Sequence, residues 1–302
     1  MKIFETLAPL VLLILLGCGL ARIRFLGGQF INDLNKLAFW VVLPSMIFVN
    51  ASHASAPAGR AVSVWLVLLG GTLLICGAGY AAAWFLRLPR ASHGTMAQAA
   101  FRGNAAFIGL PVMAFSLPAG SPVMPLAVVV MTAMMATYNI LAVLVLQGGR
   151  GSIRELAFSV ATNPLLMAGI LGLLWGGLSL PMPTFVDRTL LLLSGAAVPI
   201  SLLCIGGFLA LHPISGRAGA VLVAATLKVG VLPALVFVGA TLAGLDPSEM
   251  KIALIFSACP TAAASYTMAA RMGGDQQIAS GAVAASTLFS GPVLALALWL
   301  TR

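Results

Sequence analysis

Three stretches of the chain, residues 62–86, 156–186 and 276–301, each run for at least 25 residues without a charged side chain. A helix needs about 20 apolar residues to cross the hydrocarbon core of a bilayer, so each stretch is long enough to span one. The same lengths exclude the short alternating strands of a closed barrel. Composition points the same way. Of 302 residues, 61% are hydrophobic and 8% charged, with a mean hydropathy of +1.08, which leaves too little polar material to cover a water-soluble globule. The expected solvent is lipid and the expected class is an all-α polytopic membrane protein.

The net charge of +9 could suggest nucleic acid, but the 16 basic residues are scattered at the ends of apolar runs rather than gathered in a patch. No nucleic-acid partner is expected. Cys18, Cys76, Cys204 and Cys259 lie inside apolar stretches without paired spacing, so neither a disulfide framework nor a metal site is expected. No cofactor motif is present either. Leu16-Gly17-Cys18 faintly resembles the cleavage site of a lipoprotein signal, but Glu5 sits in the charged leader region and the stretch reads better as a first membrane helix.

Apolar runs read against Pro, Gly and charged breaks give ten segments, near 4–21, 36–52, 62–86, 94–117, 122–147, 155–179, 186–211, 217–243, 249–271 and 275–300. The sizeable polar link, Gly148 to Arg154, falls at the midpoint. Sliding the second half back by 155 residues places Pro199 on Pro44, each in the second helix of its half, and the interrupted region Cys259–Ser265 over Asn104–Pro111, each in the fourth. Halves with an odd number of helices must enter the membrane from opposite sides. The expectation is two inverted five-helix repeats, 1–147 and 155–302, with crossed, broken helices 4 and 9, an arrangement of secondary transporters.

Alternate loops carry unequal charge. Arg22, Arg24, Lys36, Arg87, Arg90, Arg150, Arg154, Arg217 and Arg271 fall on one side; Lys2, Arg60, Arg188, Lys251 and Arg302 fall on the other. By the positive-inside rule the richer side faces the cytoplasm and both termini face away from it.

Function is expected at the breaks. In RGNAAFIGLP (Arg102 to Pro111), Gly109 permits close backbone approach and Pro111 suits the first turn of a new half-helix; Pro260 does the same in ACPTAAASY, followed by Thr261, Ser265 and Tyr266. Half-helix amino ends meeting near mid-bilayer would offer unpaired N–H groups to an anion. Ordinary proline kinks are the plainer alternative. Arg102 and Lys228 lie within apolar helices, where they must face the interior or water. They either attract a carboxylate or bond to backbone carbonyls. Asn104, close to the break, is the neutral polar residue best placed to touch a ligand. The seven acids, Glu5, Asp33, Glu155, Asp187, Asp246, Glu249 and Asp275, are read at or beyond helix ends, Asp275 as the cap of the last helix. No buried carboxylate pair is left to carry protons or sodium. His53, His93 and His212 sit near loop ends. Asn163-Pro164 opens the sixth helix.

With these motifs in place, the chain resembles the auxin efflux carrier family, which includes bacterial carboxylate permeases and plant carriers. The likeness runs through LNKLAFWVVLPSMIF (34–48), NAAFIGLPV (104–112), TNPLLMAGILGLL (162–174), LKVGVLPAL (227–235) and CPTAAASYTMAARMGGDQQIAS (259–280). The resemblance implies a scaffold of helices 1, 2, 6 and 7 and a moving transport domain of helices 3–5 and 8–10. Crossover prolines would be Pro111 and Pro260, with a small organic anion such as malonate, malate or an auxin-like acid bound beside Asn104. It implies a secondary transporter rather than an enzyme, in the plasma membrane (the inner membrane of a bacterium), with a homodimer as a further expectation. The long central loop of many plant members is absent here. An anion channel or sensor on the same fold is the alternative. An intramembrane enzyme using Ser265 or Ser280 has less support, because no embedded His or acid is spaced to activate either serine.

Overall fold

The structure is a computed structural model that describes residues 2–53, 58–118, 120–148, 154, 157–158, 161–212 and 217–301. Most of the midpoint linker, with Arg150 and Glu155, lies outside these residues.

In chain order the helices are α1 (Lys2–Arg22), α2 (Gly28–Leu37), α3 (Leu43–Ser52), α4 (Ala58–Phe85), α5 (Arg90–Phe101), α6 (Leu110–Ser116), α7 (Val123–Leu146), α8 (Pro164–Gly177), α9 (Thr184–Gly195), α10 (Ala197–Leu211), α11 (Ala218–Thr226), α12 (Leu232–Leu242), α13 (Pro247–Ala258), α14 (Ala264–Arg271) and α15 (Gln276–Leu300). Among the described residues the extended pairing is a single antiparallel bridge, Gly103 with Thr261. Among the described residues, seven helical stretches are long and apolar enough to cross a membrane: Phe4–Arg22, Gly28–Ser52, Gly59–Phe85, Val123–Leu146, Thr184–Leu211, Ala218–Leu242 and Gln276–Leu300. Ala105–Ser116 and Pro164–Gly177 are shorter apolar helices. The surface confirms the solvent. Leu242, Leu192 and Phe4 are 83%, 80% and 77% exposed, whereas Lys228, Gln98, Thr261 and Ser265 are fully buried, the reverse of a protein folded in water.

Several sequence expectations change. The second segment begins at Gly28, not near 36, because Gly28–Leu37 is an amphipathic helix that buries Ile31 and exposes its polar face. Asp33 therefore lies inside a helix, where it accepts from Lys36 at 3.1 Å. Within the sixth segment, Asn163 caps the helix Pro164–Gly177 by accepting from the Leu165 and Leu166 N–H groups; the expected start near 155 lies outside the described residues. Asp275 takes its expected role, capping α15 through Gln277 and Ile278 while its other oxygen accepts from Ser92 Oγ at 2.9 Å. At α13, Asp246 and Glu249 form a reciprocal capping box ahead of Pro247.

Three five-residue π-turns, Ala38–Val42, Ala105–Gly109 and Leu227–Val231, each run directly into a Leu-Pro pair: Leu43-Pro44, Leu110-Pro111 and Leu232-Pro233. Proline has no N–H, and its ring crowds the carbonyl four residues earlier. A turn widened to a five-residue reach relieves the crowding without opening the helix. Accordingly the Leu43 N–H reaches Ala38 O and the Leu232 N–H reaches Leu227 O.

The chain forms two compact units. The first comprises 1–62, 106–136 and 158–211. Here α1 packs on α10 so closely that a Cβ at Gly17 would meet Leu203 O and one at Gly206 would meet Ile14 O; α8 packs on α3 through Gly172 and Gly176 in the same way. The second unit comprises 63–105, 137–157 and 212–302. Its core is built largely of alanine, with Ala83, Met96, Ala99, Ala220, Ala224, Ile278 and Ala282 joining α4, α5, α11 and α15. Small side chains let these backbones approach, which bilayer packing favours over bulk.

Candidate functional site

The two helix breaks meet inside the second unit. The first helix, α5, stops at Phe101, and Arg102 turns extended (φ −76°, ψ 96°). On the other side α13 stops at Ala258, and Cys259 does the same (φ −58°, ψ 140°). Each stop strands backbone groups that lipid cannot satisfy. The strands solve this jointly: the Asn104 N–H donates to Pro260 O at 2.8 Å and the Ala262 N–H donates to Arg102 O at 2.9 Å, on either side of the Gly103–Thr261 bridge. Thr261 is anchored twice more. Its Oγ1 donates to Ala99 O at 2.7 Å, and its N–H donates to Ser286 Oγ at 2.9 Å. Proline suits position 260, which contributes a carbonyl and has no N–H to satisfy. Gly103 sits in close quarters, since a Cβ there would lie 3.3 Å from Phe256 O and 3.4 Å from Lys228 Cε.

The location of the first break corrects the sequence expectation. Helix resumes at Ala105, so the interruption is Arg102–Asn104, and Pro111 lies well inside the renewed helix rather than at its start. The proline widens a turn, whereas the bridge to Thr261 breaks the helix. Gly109 has ordinary helical dihedrals (φ −61°, ψ −51°), and both residues belong to the first unit. The second break falls at 259–263, around Pro260 as expected, and helix resumes at Ala264.

Of the remaining candidates, Arg102, Asn104, Lys228, Pro260, Thr261, Ser265 and Tyr266 all lie in the second unit. Arg102 is buried and holds three groups: NH2 donates to Asn139 Oδ1 at 2.7 Å, and NH1 contacts Met268 Sδ at 3.0 Å and Tyr138 O at 3.4 Å. None is a carboxylate. Because a guanidinium only donates, it fixes the Asn139 amide with oxygen inward, leaving Nδ2 buried without a partner. Lys228 is fully buried and donates to Ser257 O at 2.7 Å, taking a backbone carbonyl rather than an acid. Ser265 Oγ is buried without a hydrogen-bond partner, so no base stands ready to activate it. Tyr266 meets His212 edge-on, with ring centroids 5.0 Å apart. Asn104 is 7% exposed; its backbone N–H is committed to Pro260, while its side-chain amide makes no hydrogen bond with the described residues. Sequence reasoning missed Ser286, Ser257, Gln98 and Met268, which carry no signal beyond being polar or soft atoms in apolar runs. Among the described residues no cluster of His, Cys, Asp or Glu could hold a metal.

A family profile described as "Membrane transport protein" matches residues 2–300. The chain belongs to this family, the auxin efflux carriers. Among similar proteins, a probable auxin efflux carrier component 5b of rice (Oryza sativa subsp. japonica) is 31% identical over 47% of this chain and 40% of its own length. An uncharacterized transporter of Methanothermobacter thermautotrophicus is 30% identical over 67% of this chain and 66% of its own. A second, from Methanocaldococcus jannaschii, is 24% identical over 88% and 87%. The chain thus spans less than two thirds of the first two relatives. In this transporter family member, the crossing described above brings together interrupted backbone, the Asn104 side chain and two cations, Arg102 and Lys228, bonded to no acid among the described residues.

Proposed function

We propose that this transporter carries small organic anions, carboxylates such as malonate, malate or auxin-like acids, by alternating access. The observation that carries the reading is Asn104: its amide is uncommitted at the start of a renewed helix, next in chain to Arg102 and Gly103, the latter packed against Lys228. Two cations without an acidic partner favour a negative guest, and half-helix amino ends at Ala105 and Ala264 add positive potential. Arg102 and Lys228 act through this field, since both are bonded within the protein; Asn104, Thr261, Ser265 and Tyr266 surround the crossing. The printed name of the rice relative supports an organic acid as cargo.

On this reading α5–α6 and α13–α14 are the fourth and ninth of ten crossing segments in two inverted five-helix repeats. Helices 1, 2, 6 and 7 form a static scaffold and the others move, in the inner membrane of a bacterial cell, as a homodimer, with both termini non-cytoplasmic. Gly109 and Pro111 then lie further along the fourth segment, past its interruption. The test is uptake of labelled malonate, malate or indole acetate into proteoliposomes. Saturable counterflow of any one is the expected result. A broad anion panel that fails to move under any gradient, or large single-channel currents in its place, refutes the carrier reading.

A further inference from the structure

The Lys228 side chain leaves the π-turn Leu227–Val231 and places its ammonium where two half-helices end. Its Nζ donates at 2.7 Å to Ser257 O, in the last turn of α13. The same atom lies 3.5 Å from where a Cβ of Gly103 would be, two residues past the end of α5. Carboxyl ends of helices carry partial negative charge, and the carbonyls of the last turn have no N–H partners in their own helix. In carriers with discontinuous helices, such ends and unwound carbonyls are where a coupling cation is held. Here a covalently attached ammonium occupies that position, fully buried and packed beside Gly103.

We propose that Lys228 is a tethered replacement for a coupling cation. It neutralises the negative side of the crossing permanently, so the transporter works without sodium, and shortening Lys228 uncovers a latent site for a small monovalent cation such as sodium or ammonium. The inference rests on the crossing and on membership of a transport family, not on the identity of the anion.

The test uses purified full-length protein in sodium, ammonium or choline chloride at equal ionic strength, read first by thermal unfolding. Wild type should be indifferent to the cation. Lys228→Ala should unfold earlier in choline and recover by about 3 °C in about 100 mM sodium or ammonium, for a Kd of about 5 mM. Lys228→Met fills the same space without charge and should show no cation response. Lys228→Gln keeps a donor for Ser257 and should fold, with labelled malonate uptake lowered at least tenfold. Sodium-dependent unfolding or transport of the wild type overturns the proposal. So does an Ala variant blind to cations, a Met variant that responds to them, or a Gln variant that transports like wild type. If the Ala variant does not fold, the wild-type and Gln results still decide. If malonate is not a substrate, the unfolding series stands alone, which separates failure of this inference from failure of the substrate assignment.

Discussion

Ser286→Ala tests whether the crossing is held by the bonds described. Thr261 is fully buried, and its N–H has one acceptor, Ser286 Oγ at 2.9 Å. Removing that oxygen leaves a backbone donor in a dry interior, which costs about 1–3 kcal/mol. Ser290 supplies an internal control. It lies one turn further along the same helix and is also buried, but its Oγ donates only to Thr287 O, a carbonyl of its own helix. Losing it strands no donor, so Ser290→Ala should cost under about 0.5 kcal/mol. For a chain of this size about 1 kcal/mol corresponds to roughly 2 °C in Tm. Ser286→Ala should therefore lower Tm by about 2–6 °C, and Ser290→Ala by about 1 °C or less, in thermal unfolding of the detergent-solubilised protein followed by tryptophan fluorescence. Ser286→Ala should also slow transport, because the strand Cys259–Ala263 loses one of its anchors. Equal stability of the two variants would refute the claim that the break is held from α15.

Asn104→Ala should lower apparent affinity for the transported anion at least tenfold with Tm unchanged, since the side-chain amide makes no internal bond; transport kinetics paired with unfolding check this. Gly94→Ala should destabilise by about 1–3 kcal/mol, because the new Cβ meets Val145 O and backbone cannot swing aside. Gly70→Ala, with nothing within 4 Å, should be neutral or gain up to about 1 kcal/mol of helix propensity, and the pair is compared by unfolding. Asn139→Leu removes the strongest partner of Arg102 and should cost about 1.5–3 kcal/mol; Asn139→Asp, which supplies a counter-charge, should recover the stability while weakening anion uptake.

Much of this architecture was legible because lipid enforces simple rules. Charge-free runs became helices, Asn163 and Asp275 became caps, and Pro260 marked a true interruption. The misses have specific causes. Asp33 and Lys36 looked like loop charges, yet charge reports exposure rather than chain direction, and an amphipathic helix from Gly28 exposes both. Pro111 looked like a break because proline removes a hydrogen bond. That loss was absorbed by a widened turn, as it was before Pro44 and Pro233, while the real break at Gly103 comes from a strand partner 158 positions away, at Thr261. Arg102 was rightly placed in the interior, but its partners Asn139 and Met268 are distant in the chain and follow no periodicity.

The polarity of the second unit bears on specificity. A buried cation is usually paired, because the low dielectric makes an isolated charge expensive. Arg102 and Lys228 instead spend their protons on amide, thioether and carbonyl acceptors, which orient them but leave each with its net charge. An acid at either place would have stabilised the empty protein and competed with an anionic guest for the same field. On the proposed reading, part of the compensating charge arrives with the cargo, and a bound carboxylate lowers the energy of the crossing itself. On the proposed reading, the selectivity against cations follows from the same two residues, since a cation entering this field would meet repulsion with no carboxylate to receive it.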